Sequence, residues 1–369
     1  VNIKANLNIV LKSDTEQLEE VMVVAYGTAK KSSFTGSAAV VKNDKIEKMQ
    51  TSDVTKALAG AVSGVQITTA SGAPGSGTSI RVRGLGSINA SSEPLIVVDG
   101  SPFDGDLSMI NSQDVESMTV LKDAAANALY GARGANGVII VTTKSGKEGK
   151  VSVSYNAYYA WKKVAKTLDV LSASDYTKWQ YELAQLTNKN DDYIKYFGNY
   201  QDLDMYDNVA TNDWQDLTFG RTGHSFNHNL SINGGSDKFK YSFSYSHIDD
   251  KAIMQMSDYA RDNLNLKLNH KPLKNVSLDF SARFSKTKIN GGGSNDANSS
   301  LNTDKRLKYS LLYTPYPVPG ISDALNADEE DANSLLINPL ISLRDNDTRK
   351  ERINYCLLYT SDAADELDG

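Results

Sequence analysis

The second half of the sequence alternates apolar and polar residues with a period of two. In one segment, Phe226, His228, Leu230 and Ile232 alternate with asparagines and a serine, and in another, leucines alternate with polar residues at 264–268. Such a period places all apolar side chains of a strand on one face and all polar side chains on the other. The sequence therefore predicts two-faced strands over 151–161, 226–232, 241–247, 264–268 and 276–284.

The connections between these strands alternate in length. Short turns are expected at 234–237 and 270–275, with a longer connection at 249–257, and residues 171–220, 289–307 and 323–333 are expected to be large or exposed insertions. Short turns at one end and long loops at the other are typical of an outer-membrane barrel, whose tilted strands need about 9–11 residues. The alternation by itself is more typical of a soluble antiparallel sandwich, so both folds stay open at this point.

Residues 34–146 have a different pattern, typical of one α/β unit. A short helix is expected after Asp53, and a short Ala-rich helix over 124–130 should end at Gly131. The Gly-rich loop at 71–77 lacks the lysine and the strand–helix context of a phosphate-binding loop, so we expect a structural role. Strands are expected at 65–69, 79–83, 94–98 and 138–143, and an amphipathic segment at 115–121.

Residues 13–33 resemble a linker that contains one β-prone string. The first part is acidic and polar, and the string that follows is Val21, Met22, Val23, Val24, Ala25, Tyr26, Gly27 and Thr28. A short strand between polar flanks cannot satisfy its own backbone and is suited to pairing with a partner's sheet edge. An ordinary edge strand of the following unit explains the pattern equally well.

Composition excludes few functions. The net charge is −6 with a sequence pI near 5.4 and scattered basic residues, which argues against a nucleic-acid-binding surface. No apolar run approaches the ~20 residues of a membrane-spanning helix, but barrels average out as hydrophilic. Nineteen tyrosines against nine phenylalanines suit either a membrane interface or ordinary sheet enrichment. One cysteine, Cys356, permits no internal disulfide.

The sequence offers no convincing catalytic or metal-binding constellation. Nucleotide-binding, serine-hydrolase, zinc-protease and Cys-x-x-Cys motifs do not occur. His224 and His228 are four residues apart, but this spacing in a strand does not itself supply further ligands. We therefore predict no enzyme activity, no cofactor and no metal.

Several ordered strings resemble one family, the SusC/RagA-type TonB-dependent outer-membrane transporters. They run from LEEVMVVAYGT at 18–28, through LAGAVSGVQI at 58–67, IRVRG at 80–84 and PLIVVDGSP at 94–102, to DVESMTVLKDA at 114–124 and LYGARGANGVIIVTTK at 129–144. The resemblance covers roughly residues 18–146. Ala25 stands where the family usually has glycine, and Asn127 where a smaller residue is more common.

The resemblance implies an α+β plug domain over 34–146, followed over 150–355 by the first strands of an incomplete antiparallel transmembrane β-barrel. Such barrels have about 22 strands. Residues 13–33 would be a linker whose segment 21–28 is TonB-box-like, and residues 1–12 would end a periplasmic carboxypeptidase-regulatory-like β domain. Residues 356–369 resemble translated sequencing adaptor, although a native polar tail is the alternative.

The resemblance also implies a function in the outer membrane of a Gram-negative bacterium. The plug would block the barrel lumen, and TonB, energised by an inner-membrane complex, would capture segment 21–28 during import of an oligosaccharide or peptide. A SusD-like surface lipoprotein would be the usual partner, besides outer-membrane lipid. A soluble or surface-exposed β-rich binding protein without transport is the alternative function.

Three arginines are candidate plug–barrel contacts. Arg81 and Arg83 are expected on the same side of one strand, where they form either a surface pair or ion pairs with carboxylates across the contact. Arg133, beside the Gly131 helix stop, is a further candidate, with a plain surface position as its alternative. The substrate-binding residues are unknown from sequence.

Overall fold

The structure, a computed structural model, describes most of the chain. The described residues are 21–24, 27–30, 38–48, 54–69, 72–75, 77–84, 92–122, 128–273, 275–291, 306–319, 321–322, 338–345 and 349–363. The predicted segments at 1–12 and 13–20 therefore lie outside them, as do most of the insertions expected at 289–307 and 323–333. No helix within these ranges is long and apolar enough to cross a membrane.

Two larger sheets and two strand pairs make up the β structure of the described chain. One sheet has five strands in the order β3-β8-β9-β6-β7, and the other has six in the order β10 to β15. The strands are β1 Val21–Val24, β2 Gly27–Lys30, β3 Ala38–Lys42, β4 Val65–Thr69, β5 Thr78–Val82, β6 Leu95–Val98, β7 Ser101–Pro102, β8 Val115–Leu121, β9 Val138–Thr143, β10 Gly149–Lys162, β11 Gly223–Gly235, β12 Phe239–Lys251, β13 Asp258–Leu273, β14 Val276–Asn290 and β15 Arg349–Ala363.

Strands β3–β9 form the α/β unit, which has an ordinary apolar core. Strand β9 pairs parallel with β6 and antiparallel with β8, so it lies in the centre of the five-stranded sheet. Ile139 and Val141 pack on one face with Val54, Leu58 and Met118, whereas Val138 and Ile140 pack on the other. Burial on both faces explains why β9 is a continuous apolar run rather than an alternating one.

Short helical segments complete the α/β unit. Helix α1 spans Asn43–Lys48, and 3₁₀ turns span Val54–Leu58, Leu107–Met109, Ser112–Asp114 and Ala128–Gly134. The predicted helix after Asp53 is therefore a 3₁₀ turn. Gly131, where the Ala-rich helix was predicted to end, has φ 63° and interrupts the 3₁₀ segment Ala128–Gly134, and residues 124–127 lie outside the described chain. The amphipathic segment at 115–121 is strand β8.

Strands β10–β15 form an antiparallel sheet, here called the wall sheet, whose burial is inverted. In strands β11 to β13 polar side chains are the buried ones: Asn229, Ser244, Asn263 and Asn265 are 3–7% exposed. Leu264, between the last two, is 38% exposed, and apolar positions in register with it, including Tyr245 and Phe284, are exposed to a similar extent. No protein layer covers this apolar face in the described chain, whereas a soluble sandwich would bury it.

The connections of the wall sheet alternate as expected. The β11–β12 and β13–β14 turns lie at one end, and the connections after β10, β12 and β14 lie at the other. The connection after β10 is the large insertion expected at 171–220, and it contains α2 Ala173–Thr187, α3 Asn190–Phe197, a 3₁₀ turn at Tyr200–Asn208 and α4 Trp214–Phe219. The connection after β14 contains α5 Arg306–Leu312 and α6 Pro339–Asp345.

The two largest connections pack together as one body, here called the loop lobe. Its small core joins Tyr193 and Phe197 of the first connection to Tyr316 and Val318 of the second. The Trp214 indole N–H donates to the Thr314 carbonyl at 2.8 Å. The lobe therefore has its own aromatic core, although sequence analysis treated its parts as separate insertions.

Two expected boundaries differ in the structure. Strand β5 ends at Val82, and Arg83 has φ 60°. The prediction that Arg81 and Arg83 lie on one extended strand is therefore wrong. Strand β15 runs from Arg349 to Ala363 in unbroken register with β14, so the backbone has no boundary at 355. The origin of the tail predicted at 356–369 remains a prediction.

Candidate functional site

A buried carboxylate joins the α/β unit to the wall sheet. Asp99 lies in the two-residue turn between β6 and β7 and accepts hydrogen bonds from the backbone N–H and the hydroxyl of Thr143, both at 2.9 Å. Lys267 of β13 donates to Asp99 at 2.8 Å, and Arg283 of β14 lies 3.6 Å from its second oxygen. These side chains are only 10–16% exposed, so solvent screens the pairs weakly.

The backbone of the turn fixes where this carboxylate lies. Asp99 and Gly100 have φ values of 52° and 84°, which a tight two-residue hairpin requires and which aspartate tolerates better than most residues. The Asp99 N–H also donates to the Val141 carbonyl at 3.0 Å. The side chain is thus held at the end of β6 and β9, facing the wall sheet.

Charge rather than burial decides the ionisation of Asp99. Burial alone would raise the pKa of this carboxyl, but Lys267, Arg283 and the hydrogen bonds from Lys267 and Thr143 together hold the pKa below its ordinary value. Asp114, which is 8% exposed, behaves in the opposite way because burial raises its pKa. The contact therefore favours the ionised form of the Asp99 carboxyl.

A second group of contacts lies nearer the long-connection end. Arg261 donates to the Ser108 carbonyl, and the Ser285 hydroxyl donates to the Met109 carbonyl at 3.3 Å. Both carbonyls belong to the 3₁₀ turn Leu107–Met109, whose Ser108 N–H donates to the Asp106 side chain at 2.8 Å as an N-cap. Here the side chains of the wall sheet therefore donate hydrogen bonds to backbone carbonyls of the α/β unit rather than to its side chains.

The Gly-rich loop of the α/β unit contacts the wall sheet at the long-connection end. Gly75 has φ 73°, and a Cβ at this position would lie 2.5 Å from the Tyr259 ring and 3.1 Å from Ile289. Tyr259 and Ile289 face each other at the long-connection end of β13 and β14. Only glycine fits this conformation and this space, which supports the predicted structural role of the loop.

The predicted arginines do not form the ion pairs described above. Arg133 pairs with Asp104 at 2.8 Å within the α/β unit, with side chains 60% and 85% exposed. Arg81 is half-buried on β5 opposite Gln66, and Arg83 is exposed. A role for the three arginines across the contact stays a prediction.

Segment 21–28 is not a single strand. Strand β1 pairs antiparallel with β2, with Val21 opposite Lys30 and Val24 opposite Gly27. The backbone of Val21–Val24 thus has a local partner on one edge. Ala25 and Tyr26 lie outside the described residues, and the coupling role predicted for the segment stays a prediction.

Sequence reasoning missed Asp99, Lys267 and Arg283. Asp99 was noted only as part of the string at 94–102, and the two cations only as polar positions in alternating strands. A weak signal existed: Lys267 lies between Asn265 and Asn269, and Arg283 lies between Ser281 and Ser285, on the inward face of their strands. What the sequence could not supply is the register that places both beside one carboxylate.

Comparisons with known proteins agree with this architecture. Residues 30–138 match the family described as the TonB-dependent Receptor Plug Domain. The TonB-dependent receptor SusC from Bacteroides thetaiotaomicron is 41% identical over 268 residues, which cover 70% of this chain and 25% of that protein. The TonB-dependent receptor P3 from Formosa agariphila is 37% identical over 304 residues, covering 82% and 27% respectively.

Solved structures give the same result. The RagAB peptide importer in its open-open state aligns with a TM-score of 0.63 and 28% identity, covering 73% of this chain and 32% of that one. A plug domain seated on the polar face of two-faced strands defines a TonB-dependent receptor. The chain belongs to the SusC/RagA type of this class. It spans about a quarter of the length of the curated relatives it matches.

These findings confirm the predicted fold class, an α+β plug domain with antiparallel barrel strands. From here the α/β unit is called the plug, and the six wall-sheet strands are the barrel strands of the described chain.

Proposed function

We propose that the receptor carrying this chain imports a nutrient across the outer membrane of a Gram-negative bacterium, with the plug gating the barrel lumen. The observation that carries this proposal is the inverted burial of the wall sheet. Lipid accommodates the apolar outer face, and the polar inner face lines a lumen that the plug fills. Closing such a sheet into a barrel satisfies every backbone group in lipid.

The energy source in this proposal is TonB with its inner-membrane complex. Segment 21–28 would be captured by strand addition, and a pull on it would displace the plug. The pairing of β1 with β2 occupies one edge of the segment, so the partner would add to the other edge or replace β2. Arg81, Arg83 and Arg133 remain candidate contacts that such displacement would disturb.

The substrate in this proposal is an oligosaccharide or a peptide. The peptide option is supported by the structural neighbour RagAB, which is a peptide importer. A SusD-like surface lipoprotein is the expected partner at the long-connection end, where the loop lobe lies. No covalent chemistry on the substrate is part of the proposal.

Deleting residues 21–28 from the complete receptor tests the coupling. We expect energy-dependent uptake to be abolished, while folding in the outer membrane and binding of substrate at the cell surface persist. A scrambled segment of the same composition is the matched control for length. Uptake at the original rate in the deletion would remove the coupling role.

A further inference from the structure

Two cavities lie between the plug and the inward face of β13 and β14. The lower cavity, at the short-turn end, has a volume of about 440 Å³ and is bordered by Lys240, Asn269 and Asp279 of the wall and by Ser145 and Gly146 of the plug. The upper cavity, nearer the long-connection end, has a volume of about 40 Å³, roughly the space of one water molecule.

The Asp99 cluster separates the two cavities. Asp99 and Lys267 line the lower cavity, whereas Thr143 and Arg283 line the upper one. Asp99 contacts all three of the other residues. The ionic network is therefore the partition between two spaces that follow the same pair of strands.

The upper cavity has an apolar plug side, formed by Phe103, Met109 and Ile110, and a wall side with hydrogen-bonding groups that the described part of the chain leaves unused. Both polar atoms of the Asn263 amide and the Asn265 amide oxygen are buried without a partner there. Buried polar atoms of this kind are normally satisfied by water or by a polar ligand. The wall above the partition is thus chemically suited to hydroxyl and amide groups.

We propose that solute crossing the receptor passes along the inward face of β13 and β14, and that the Asp99–Lys267–Arg283 cluster is the gate on this route. The inference rests on the proposed import function and adds a location and a gate to it. The route suits uncharged polar solutes rich in hydroxyl or amide groups. It opens when the plug end that carries Asp99 moves away from the two cations.

Asp99→Asn in the complete receptor tests the gate. Asparagine keeps the shape but removes the charge that holds Lys267 and Arg283, and losing one charge-assisted hydrogen bond changes an equilibrium by about tenfold. In receptor-containing liposomes we expect swelling in arabinose, without TonB, to rise about tenfold over the original receptor. The matched control is Asp279→Asn, because Asp279 borders the same lower cavity but bonds Asn269 instead.

A second measurement leaves Asp99 unchanged and guards against a folding defect. Cysteine introduced for Ser281, at the lower cavity, should react rapidly with a small water-soluble thiol reagent, and cysteine for Asn265, above the partition, should react slowly. Both variants need Cys356 replaced by serine. Adding Asp99→Asn should accelerate only the Asn265→Cys reaction.

The outcomes separate the gate from the import function. The gate would be overturned if Asp99→Asn left the swelling rate unchanged, or if Asp279→Asn raised it as much as Asp99→Asn does. It would also be overturned if the Ser281→Cys and Asn265→Cys receptors reacted equally fast while Asp99 is intact. A receptor that leaks as expected but shows no energy-dependent uptake would overturn the import proposal instead.

Discussion

The plug and the wall sheet bury opposite kinds of side chain. In the plug, Ile139 and Val98 are fully buried, and the charged residues Lys42 and Glu116 are exposed. In the wall sheet, Asn229 and Ser244 are buried, and Val153 is 64% exposed. Both regions obey the same rule, which removes apolar surface from water. The difference shows that the wall sheet is built to face a solvent other than water.

The largest expected effect comes from a charge in the plug core. Ile139→Asp would place a carboxylate where no side-chain surface reaches solvent and where both sheet faces are apolar. We expect a loss of roughly 4 kcal/mol or more of plug stability. Protease digestion of the complete receptor checks this: the plug should be degraded while the barrel resists. An intact plug would mean that Ile139 is not in a sealed core.

The next effect compares the two faces of the wall sheet. Leu264→Arg puts a cation on the outward face, which costs about 2–4 kcal/mol near the bilayer centre. Ser281→Arg puts the same group on the inward face, beside the lower cavity, and should change stability much less. Urea unfolding in lipid vesicles measures both. Equal losses at the two positions would contradict the assignment of faces.

A moderate effect on stability is expected where the Gly-rich loop of the plug packs against the long-connection end of the wall sheet. Gly75→Val adds a strained positive φ and a clash with Tyr259, for a cost of about 1–3 kcal/mol. Gly72→Val is the matched control, because a Cβ at Gly72 meets no atom within 4 Å. Hydrogen exchange of the β4–β5 amides should accelerate only in the Gly75 variant.

The smallest expected effect is the pH dependence of the Asp99 contact. The pKa of Asp99 is lower in the folded receptor than the unfolded value of about 3.9, so its contribution to stability is complete above that value. The contribution is lost as the pH falls through the lowered pKa. Guanidinium unfolding from pH 6 to pH 2 should show a loss at the acid end that Asp99→Asn lacks. Asp104→Asn, at an exposed ion pair, should retain the loss.

Sequence analysis predicted the wall sheet better than the contacts within it. Alternation placed Leu264, Phe280 and Phe284 on one face because side-chain parity is a local property of a strand. It missed β3, which is only five residues long, and β15, part of which was assigned to a tail. The plug strands at 65–69 and 138–143 were predicted with their correct bounds because apolar runs and glycines mark their ends.

The candidate site was harder to predict because its residues come from distant parts of the chain. Arg81, Arg83 and Arg133 were candidates for ion pairs across the contact, each with a surface position as its alternative, and that role stays a prediction. The ion pairs described between Asp99, Lys267 and Arg283 join a plug aspartate to two barrel cations. Register between β13 and β14 and the position of the plug decide which residues meet, and neither is a local property.

The orientation of the wall sheet is tested most directly by spin labels in lipid bilayers. Labels would replace Leu264 and Phe284 on the outward face, and Asn265 and Ser281 on the inward face, one per complete receptor. Collision with oxygen, which concentrates in hydrocarbon, should be frequent at the first two positions and rare at the last two. Outward labels shielded from oxygen, or inward labels reached by it as readily, would contradict a plug enclosed by a lipid-facing wall.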